Sequence, residues 1–246
     1  MRDKKRIILI TGGTQGLGMY LAKHLHKMGH TIIILGTRSF KNIPESYKKI
    51  IQDYYKIDLS DLTAVNIVLS NIIRKYKNID VLINNAALRI FKNYIEFSEA
   101  EIERYINVNF KIPILLIRKI FPIMRKNGYG RIINISSKSA FWGYKSGSMY
   151  CSTKSALIKF TEAFGRELKV HNNNVTINVI CPDSFRTVEG EWLKGCNRIM
   201  SLIAKNVDEI LVSNRNAEVI PVLLPKTKFV EITHNCKKCL LWLIKY

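Results

Sequence analysis

Tyr150 and Lys154 stand four residues apart, so on a helix they share one face. Those two side chains suit proton transfer. A free phenol titrates near pH ~10, and a neighbouring positive charge favours the phenolate. Ser137 lies thirteen residues before Tyr150, and Asn109 sits in Asn107-Val108-Asn109-Phe110. Cysteine and histidine supply less. Cys151 reads as a small packing residue, and Cys236-x-x-Cys239 is half of a zinc pattern with only His234 nearby. No metal site is expected.

A second constellation lies at the start of the chain. Thr11-Gly12-Gly13-Thr14-Gln15-Gly16-Leu17-Gly18 follows a short apolar run and precedes a helical pattern. Glycines let a backbone turn tightly and approach a pyrophosphate, and the next helix offers free N–H groups and the positive end of its dipole. This pattern predicts a dinucleotide site. The second apolar run ends in Gly36-Thr37-Arg38-Ser39, with no acid to accept from a ribose 2′-hydroxyl. A guanidinium and two hydroxyls suit a 2′-phosphate instead. The expected cofactor is NADP(H), with NAD(H) second.

The elements that must position these groups alternate along the chain. Arg6–Ile10, Thr31–Leu35, Tyr54–Ile57, Val81–Ile83, Arg131–Ile135 and Val175–Cys181 read as buried strands. Leu17–Met28, Leu62–Tyr76 and Tyr150–Val170 read as helices, and Pro44 opens a short one. Glu99–Lys126 carries one or two more, with Pro113 as the expected break. Such a rhythm predicts an α/β fold, a doubly wound parallel sheet of about seven strands with ligands at the carboxyl ends.

Composition narrows the field. The 246 residues are 47% apolar and 24% charged, which excludes a disordered chain or a disulfide-stapled mini-protein. The longest apolar stretches fall short of a spanning helix, and no secretory signal is visible. Five cysteines, an odd number, fit free thiols in a reducing cytoplasm. Lys and Arg number 39 against 19 acids, a net charge of +20. That field would attract polyanions. Lysine outnumbers arginine about two to one in a chain also rich in Ile and Asn, and a compositional origin is the simpler reading. No helix-turn-helix, RNA-binding aromatic motif or dense basic cluster supports nucleic-acid binding.

Taken in order, TGGTQGLG at 11–18, Asp58, NNAA at 84–87, NVNF at 107–110, ISS at 135–137, YCSTK at 150–154 and NVICP at 178–182 resemble the short-chain dehydrogenase/reductase family over about residues 5–187. The resemblance implies a single Rossmann-type NAD(P)-binding domain over 1–246, with a substrate loop within 183–215. It implies hydride transfer between nicotinamide and a carbonyl or secondary alcohol. Tyr150 would be the proton donor or acceptor, its pKa brought down by Lys154 and the oxidised nicotinamide. Lys154 would also bind the nicotinamide ribose. Ser137, favoured over Ser136 by its spacing to Tyr150, would polarise the substrate oxygen. Asn109 would position a water for relay toward Lys154. Gly12, Thr14, Gln15, Gly16, Leu17 and Gly18 would cradle the pyrophosphate. Thr37, Arg38 and Ser39 would meet the 2′-phosphate, Asp58 and Leu59 the adenine, Asn85 the adenosine ribose, and Phe185 and Thr187 the nicotinamide side.

Departures from the pattern matter too. Asp183 replaces the usual glycine after Pro182, and Asp lacks glycine's freedom at positive φ. The C-terminus, with VIPVLL at 219–224 and CKKCLLWLIKY at 236–246, lacks the family's usual ending. That tail reads first as a packing segment, and second as a contact to an anionic membrane surface. Phe185, Trp192, Leu193, Ile199 and Met200, with Phe141 and Trp142, are expected to shape an apolar or mixed substrate pocket. A small carbonyl or alcohol, or an acyl group on an acidic carrier, is the expected partner, and a homodimer or homotetramer the expected assembly. The competing reading is a dinucleotide-binding regulator without turnover.

Overall fold

The computed structural model describes residues 4–170, 174–183, 187–188, 191–192 and 196–223. The strands are β1 Ile7–Thr11, β2 Thr31–Gly36, β3 Asp53–Lys56, β4 Val81–Asn84, β5 Gly130–Ile135, β6 Val175–Pro182, β7 Thr187–Val188, β8 Glu191–Trp192 and β9 Val219–Val222. Seven of them form one sheet in the order β3-β2-β1-β4-β5-β6-β9, every neighbouring pair parallel. The two short strands β7 and β8 pair with each other, antiparallel. The six strands expected from apolar runs are present within a residue or two, and β9 falls inside the VIPVLL run.

Period-two geometry sends alternate side chains to opposite faces, so each strand supplies two cores. Ile8, Ile10, Ile32, Ile34 and Ile133 meet Leu21 and Leu25 of α1 (Gly16–Lys27) on one face. The short α2, Glu45–Lys48, follows β2 and buries Tyr47 on that same face. On the other face, Leu9, Ile33, Leu35, Leu82 and Ile132 meet Val65, Leu69 and Ile72 of α3 (Leu62–Tyr76). Burying each such side chain contributes about 1.5–3 kcal/mol. Isoleucine dominates because a strand buried on both faces needs apolar β-branched residues on both. Sheet winding reverses between β1 and β4, and a cleft opens at their carboxyl ends.

The stretch over 99–126 divides differently from the expectation. α4 spans Glu99–Ile106 and α5 spans Ile112–Lys126, joined by a π-helical turn over Asn107–Lys111. The break therefore precedes Pro113. Proline lies in the first turn of α5, directly after the π turn. A capping box starts α4: the Ser98 hydroxyl accepts from the Glu101 N–H, and the Glu101 carboxylate accepts from the Ser98 N–H.

Beyond Asp183 the expected pocket is also revised. After α6, Ser148–Val170, and β6, the chain from Cys196 to Val212 forms α7, which packs on the same face as α1. Ile199 and Met200 are fully buried in that core and do not face a substrate. Their spacing with Ile203 and Val207 is the apolar stripe of an amphipathic helix. Phe141 packs against Ile158, Val179 and Cys181 and stacks on Trp142 at 6.4 Å, and neither ring lines the cleft. Phe185, Leu193, His234 and the segment 236–246 lie outside the described residues.

Candidate active site

The cleft encloses about 410 Å³. One wall is the glycine turn. Gly12 holds φ +68° and Gly16 φ +56°, left-handed backbone that favours glycine. A Cβ on Gly18 would overlap the Gly12 carbonyl oxygen and stand 2.6 Å from Asn85 Nδ2, whereas at Gly16 it would meet only open space. The turn is thus closed against the protein at Gly18 and open at Gly16. α1 begins at Gly16 with no side chain capping it. Its first N–H groups are therefore left to meet an anion.

Asn85 fastens this turn to β4. Its Nδ2 donates to the carbonyls of Thr11 at 3.0 Å and Gly12 at 3.1 Å. The Thr11 hydroxyl accepts from the Asn85 and Ala86 N–H groups, both at 3.0 Å. Asn85 lines the cleft while its amide supports the turn.

Thr14, Gln15, Leu17, Thr37, Asp58 and Leu59 also line the cleft. Arg38 donates to Gln15 Oε1 at 3.0 Å, which draws its guanidinium to the glycine turn. Ser39 stands at the N-cap of the short turn Phe40–Asn42. Tyr54 donates from its hydroxyl to the carbonyls of Gly36 and Arg38, holding this segment over β3. Asp58 accepts from the Ser60 N–H at 2.9 Å and pairs with Arg104 at 3.0 Å. Those contacts, the Ser60 N–H foremost among them, hold its carboxyl below the usual range. Arg104 also lines the cleft, and no local motif marked it.

The opposite wall carries Ser137, Tyr150 and Lys154. Lys154 is 2% exposed, and its ammonium donates to the Ile135 carbonyl at 2.8 Å, where β5 ends. It lies 5.9 Å from the centre of the Tyr150 ring. Burial pulls its pKa down to about 8. Burial also pushes the Tyr150 phenol up from its ordinary value, with Ser137 and the Arg89 charge acting in the opposite direction. The expected lowering of the phenol is therefore not a property of the protein alone, because desolvation outweighs the neighbouring charges.

Both serines line the cleft, and their hydroxyls differ in what they bond. Ser136 is buried and donates to the Lys154 carbonyl at 2.9 Å, locking β5 to α6. The Ser137 hydroxyl accepts from the Ser139 N–H at 3.2 Å and faces the cleft. Asn109, in the π turn, is 1% exposed. Its Oδ1 accepts from the Leu88 N–H at 2.7 Å, and its Nδ2 donates to the Leu88 carbonyl at 3.0 Å and Thr153 Oγ1 at 3.3 Å. Its amide thus holds the segment after β4 against α6.

Asp183 is 4% exposed and pairs with the Lys138 ammonium. Its N–H donates to the Val222 carbonyl at 2.8 Å, extending the β6–β9 ladder. Among the described non-glycine residues only Lys77, Ser146 and Ala217 have positive φ, so Asp183 needs no glycine-like backbone. Phe185 is outside the described residues, and Thr187 is described only as backbone of β7. Among the described residues no group of three His, Cys, Asp or Glu could hold a metal ion, and no helix is long and apolar enough to cross a membrane.

The family model for short chain dehydrogenases matches residues 6–192. The chain belongs to the short-chain dehydrogenase/reductase family. This family's oxidoreductases include the 3-oxoacyl-[acyl-carrier-protein] reductase of Rickettsia felis, 33% identical over 179 residues, 73% of this chain and 72% of the relative. The NADP-dependent 3-hydroxy acid dehydrogenase of Schizosaccharomyces pombe is 33% identical over 169 residues, 66% of this chain and 65% of the relative. A short-chain dehydrogenase structure from Streptomyces avermitilis superposes with TM-score 0.80 at 21% identity, over 100% of this chain and 95% of the other. The structure of ElxO with NADP bound superposes with TM-score 0.75 at 25% identity, over 89% and 97%.

Two outcomes follow from this geometry. Gly18→Ala should lower stability by about 1–3 kcal/mol through overpacking against the turn, read as a reduced urea midpoint. Lys154 binds its proton less tightly folded than unfolded, so its penalty is full below about pH 8 and fades as pH rises toward the unfolded value. Urea titrations from pH 7 to 9 should show wild type gaining stability relative to Lys154→Met; parallel profiles would contradict the buried ammonium.

Proposed function

We propose that this short-chain dehydrogenase/reductase is an NADP(H)-dependent oxidoreductase acting on a carbonyl or secondary alcohol, with Tyr150 as proton donor and acceptor. The observation that carries this reading is the placement of Ser137, Tyr150 and Lys154 on one wall of a cleft whose other wall is the glycine turn. The turn suits a dinucleotide: open at Gly16, with an uncapped helix start behind it. Gly12 to Gly18 would hold its pyrophosphate and Thr37, Arg38 and Ser39 its 2′-phosphate. Asp58, Leu59 and Asn85 would lie along the adenosine, and Lys154 at the other ribose. Bound NADPH would supply the hydride.

The chain's own part is proton transfer and orientation. The Ser137 hydroxyl holds the substrate oxygen, and the Tyr150 hydroxyl gives its proton to that oxygen as negative charge develops. The phenol's high pKa in the protein alone favours the protonated, donating form. Lys154, pinned on Ile135, adds positive charge beneath the ring and stabilises the phenolate left behind. Asn109 acts as a positioning residue through Leu88 and Thr153.

The curated relatives carry 3-oxoacyl and 3-hydroxy acid in their names. They support an acyl chain oxidised or reduced at its third carbon as the substrate class, free or carrier-bound. The half-buried rings of Phe110 in the π turn, Phe121 in α5 and Phe160 and Phe164 in α6, in edge-on and stacked contact, support self-association through those segments.

NADPH oxidation against grouped carbonyl compounds should show turnover that falls by about 10²–10⁴ in Tyr150→Phe, with NADPH affinity kept. Binding of NADPH with no turnover on any carbonyl would favour a regulator instead. In fluorescence titrations Arg38→Asp should weaken NADPH much more than NADH, by about 10-fold or more for loss of a charged hydrogen bond. Equal effects would remove the 2′-phosphate assignment.

A further inference from the structure

Among the described cations of the cleft, Arg104 is paired with Asp58 and Lys154 is bonded to the Ile135 carbonyl. Arg89 also lines the cleft, on its Tyr150 side, and is exposed. No described carboxylate or carbonyl accepts from its guanidinium. That group stands 5.0 Å over the Phe91 ring. Phe91 in turn meets Tyr150 edge-on at 6.0 Å and Tyr144 at 5.8 Å.

The backbone carrying Arg89 is pinned on both sides. Leu88 is held through both its N–H and its carbonyl by the buried Asn109. Ile90 donates its N–H to the Tyr105 hydroxyl at 2.9 Å, and that hydroxyl donates back to the Ile90 carbonyl at 3.3 Å. Tyr105 is fully buried. Two buried polar side chains on consecutive segments, Tyr105 at the end of α4 and Asn109 in the π turn, thus fix one cleft residue between them. A loop with only a solvated role needs no such anchoring. The π turn itself brings Asn109 beneath this loop.

We propose that Arg89 binds a carboxylate carried by the substrate close to its reacting carbonyl, so that free oxo and hydroxy acids are preferred over their neutral esters and thioesters. The inference rests on the carbonyl oxidoreductase reading and narrows it. A guanidinium matches a carboxylate with two parallel hydrogen bonds, and the ring beneath it removes rotamers that would otherwise compete. The anionic groups of a dinucleotide would be held at the opposite wall, by the glycine turn and Arg38. Arg89 sits instead beside the phenol, within reach of its charge, and eases the ionisation that burial opposes.

The test is calorimetric titration of NADPH-saturated protein with 3-hydroxybutyrate and with its methyl ester, a pair that differs in the carboxylate charge. Wild type should bind the acid about 10-fold or more tightly than the ester. Arg89→Ala should abolish that preference while leaving NADPH affinity unchanged, and Arg89→Lys should restore part of it. Equal or absent binding of the two compounds to wild type, or an undiminished preference in Arg89→Ala, overturns the proposal. Failure of the oxidoreductase reading shows elsewhere, as no carbonyl turnover above the Tyr150→Phe background.

Discussion

The clasp between Thr11 and Asn85 holds together the two strand ends at which the sheet reverses its winding. β1 and β4 diverge there, and their carboxyl ends would otherwise leave unpaired backbone groups at the edge of a cleft. The Thr11 hydroxyl takes two N–H groups from beyond β4, and the Asn85 amide donates to the last carbonyl of β1 and to the one after it. The glycine turn can then remain open on its ligand side because it is fastened on the other. Gly18 is tight for the same reason: the space a side chain would fill is occupied by the Gly12 carbonyl and the Asn85 amide.

A similar division of labour runs through the catalytic wall. Buried polar groups beside and behind the cleft do the fixing. Ser136 bonds the Lys154 carbonyl, and Asn134 bonds Thr161 on the same helix at 2.9 Å, so α6 is registered on β5 at two levels. Each of these groups is buried, and a buried hydrogen bond left half-made would cost about 1–3 kcal/mol. With α6 so located, Tyr150 and Lys154 face the cleft one turn apart. The π turn adds a further setting, since it brings Asn109 under the segment that carries Arg89.

Electrostatics in the cleft is governed by burial more than by the chain's large net charge. The field of +20 is spread over the chain and is screened within about 10 Å at moderate salt. Lys154 loses proton affinity and Tyr150 gains it because both are desolvated. The two shifts move the amine and the phenol in opposite directions, toward a neutral pair. A ligand that carries positive charge into the site, or a carboxylate drawn to Arg89, would alter that balance where the protein alone does not.

Much of the fold was legible because buried parallel strands must be apolar on both faces, and amphipathic helices must repeat every three to four residues. Those constraints act locally, so β1 to β6, α1, α3 and α6 could be read from the chain within a residue or two. The glycine turn and the Tyr150–Lys154 spacing were legible for the same reason, each being a short-range requirement of backbone or helix geometry. What the chain alone did not disclose depends on contacts between distant segments. The π turn ahead of Pro113, the burial of Ile199 and Met200, the ion pairs of Asp183 and Arg104, and the fixed position of Arg89 arise only when helices meet the sheet. Periodicity records that a side chain is apolar or charged, but three-dimensional packing decides which surface it meets and whether water reaches it.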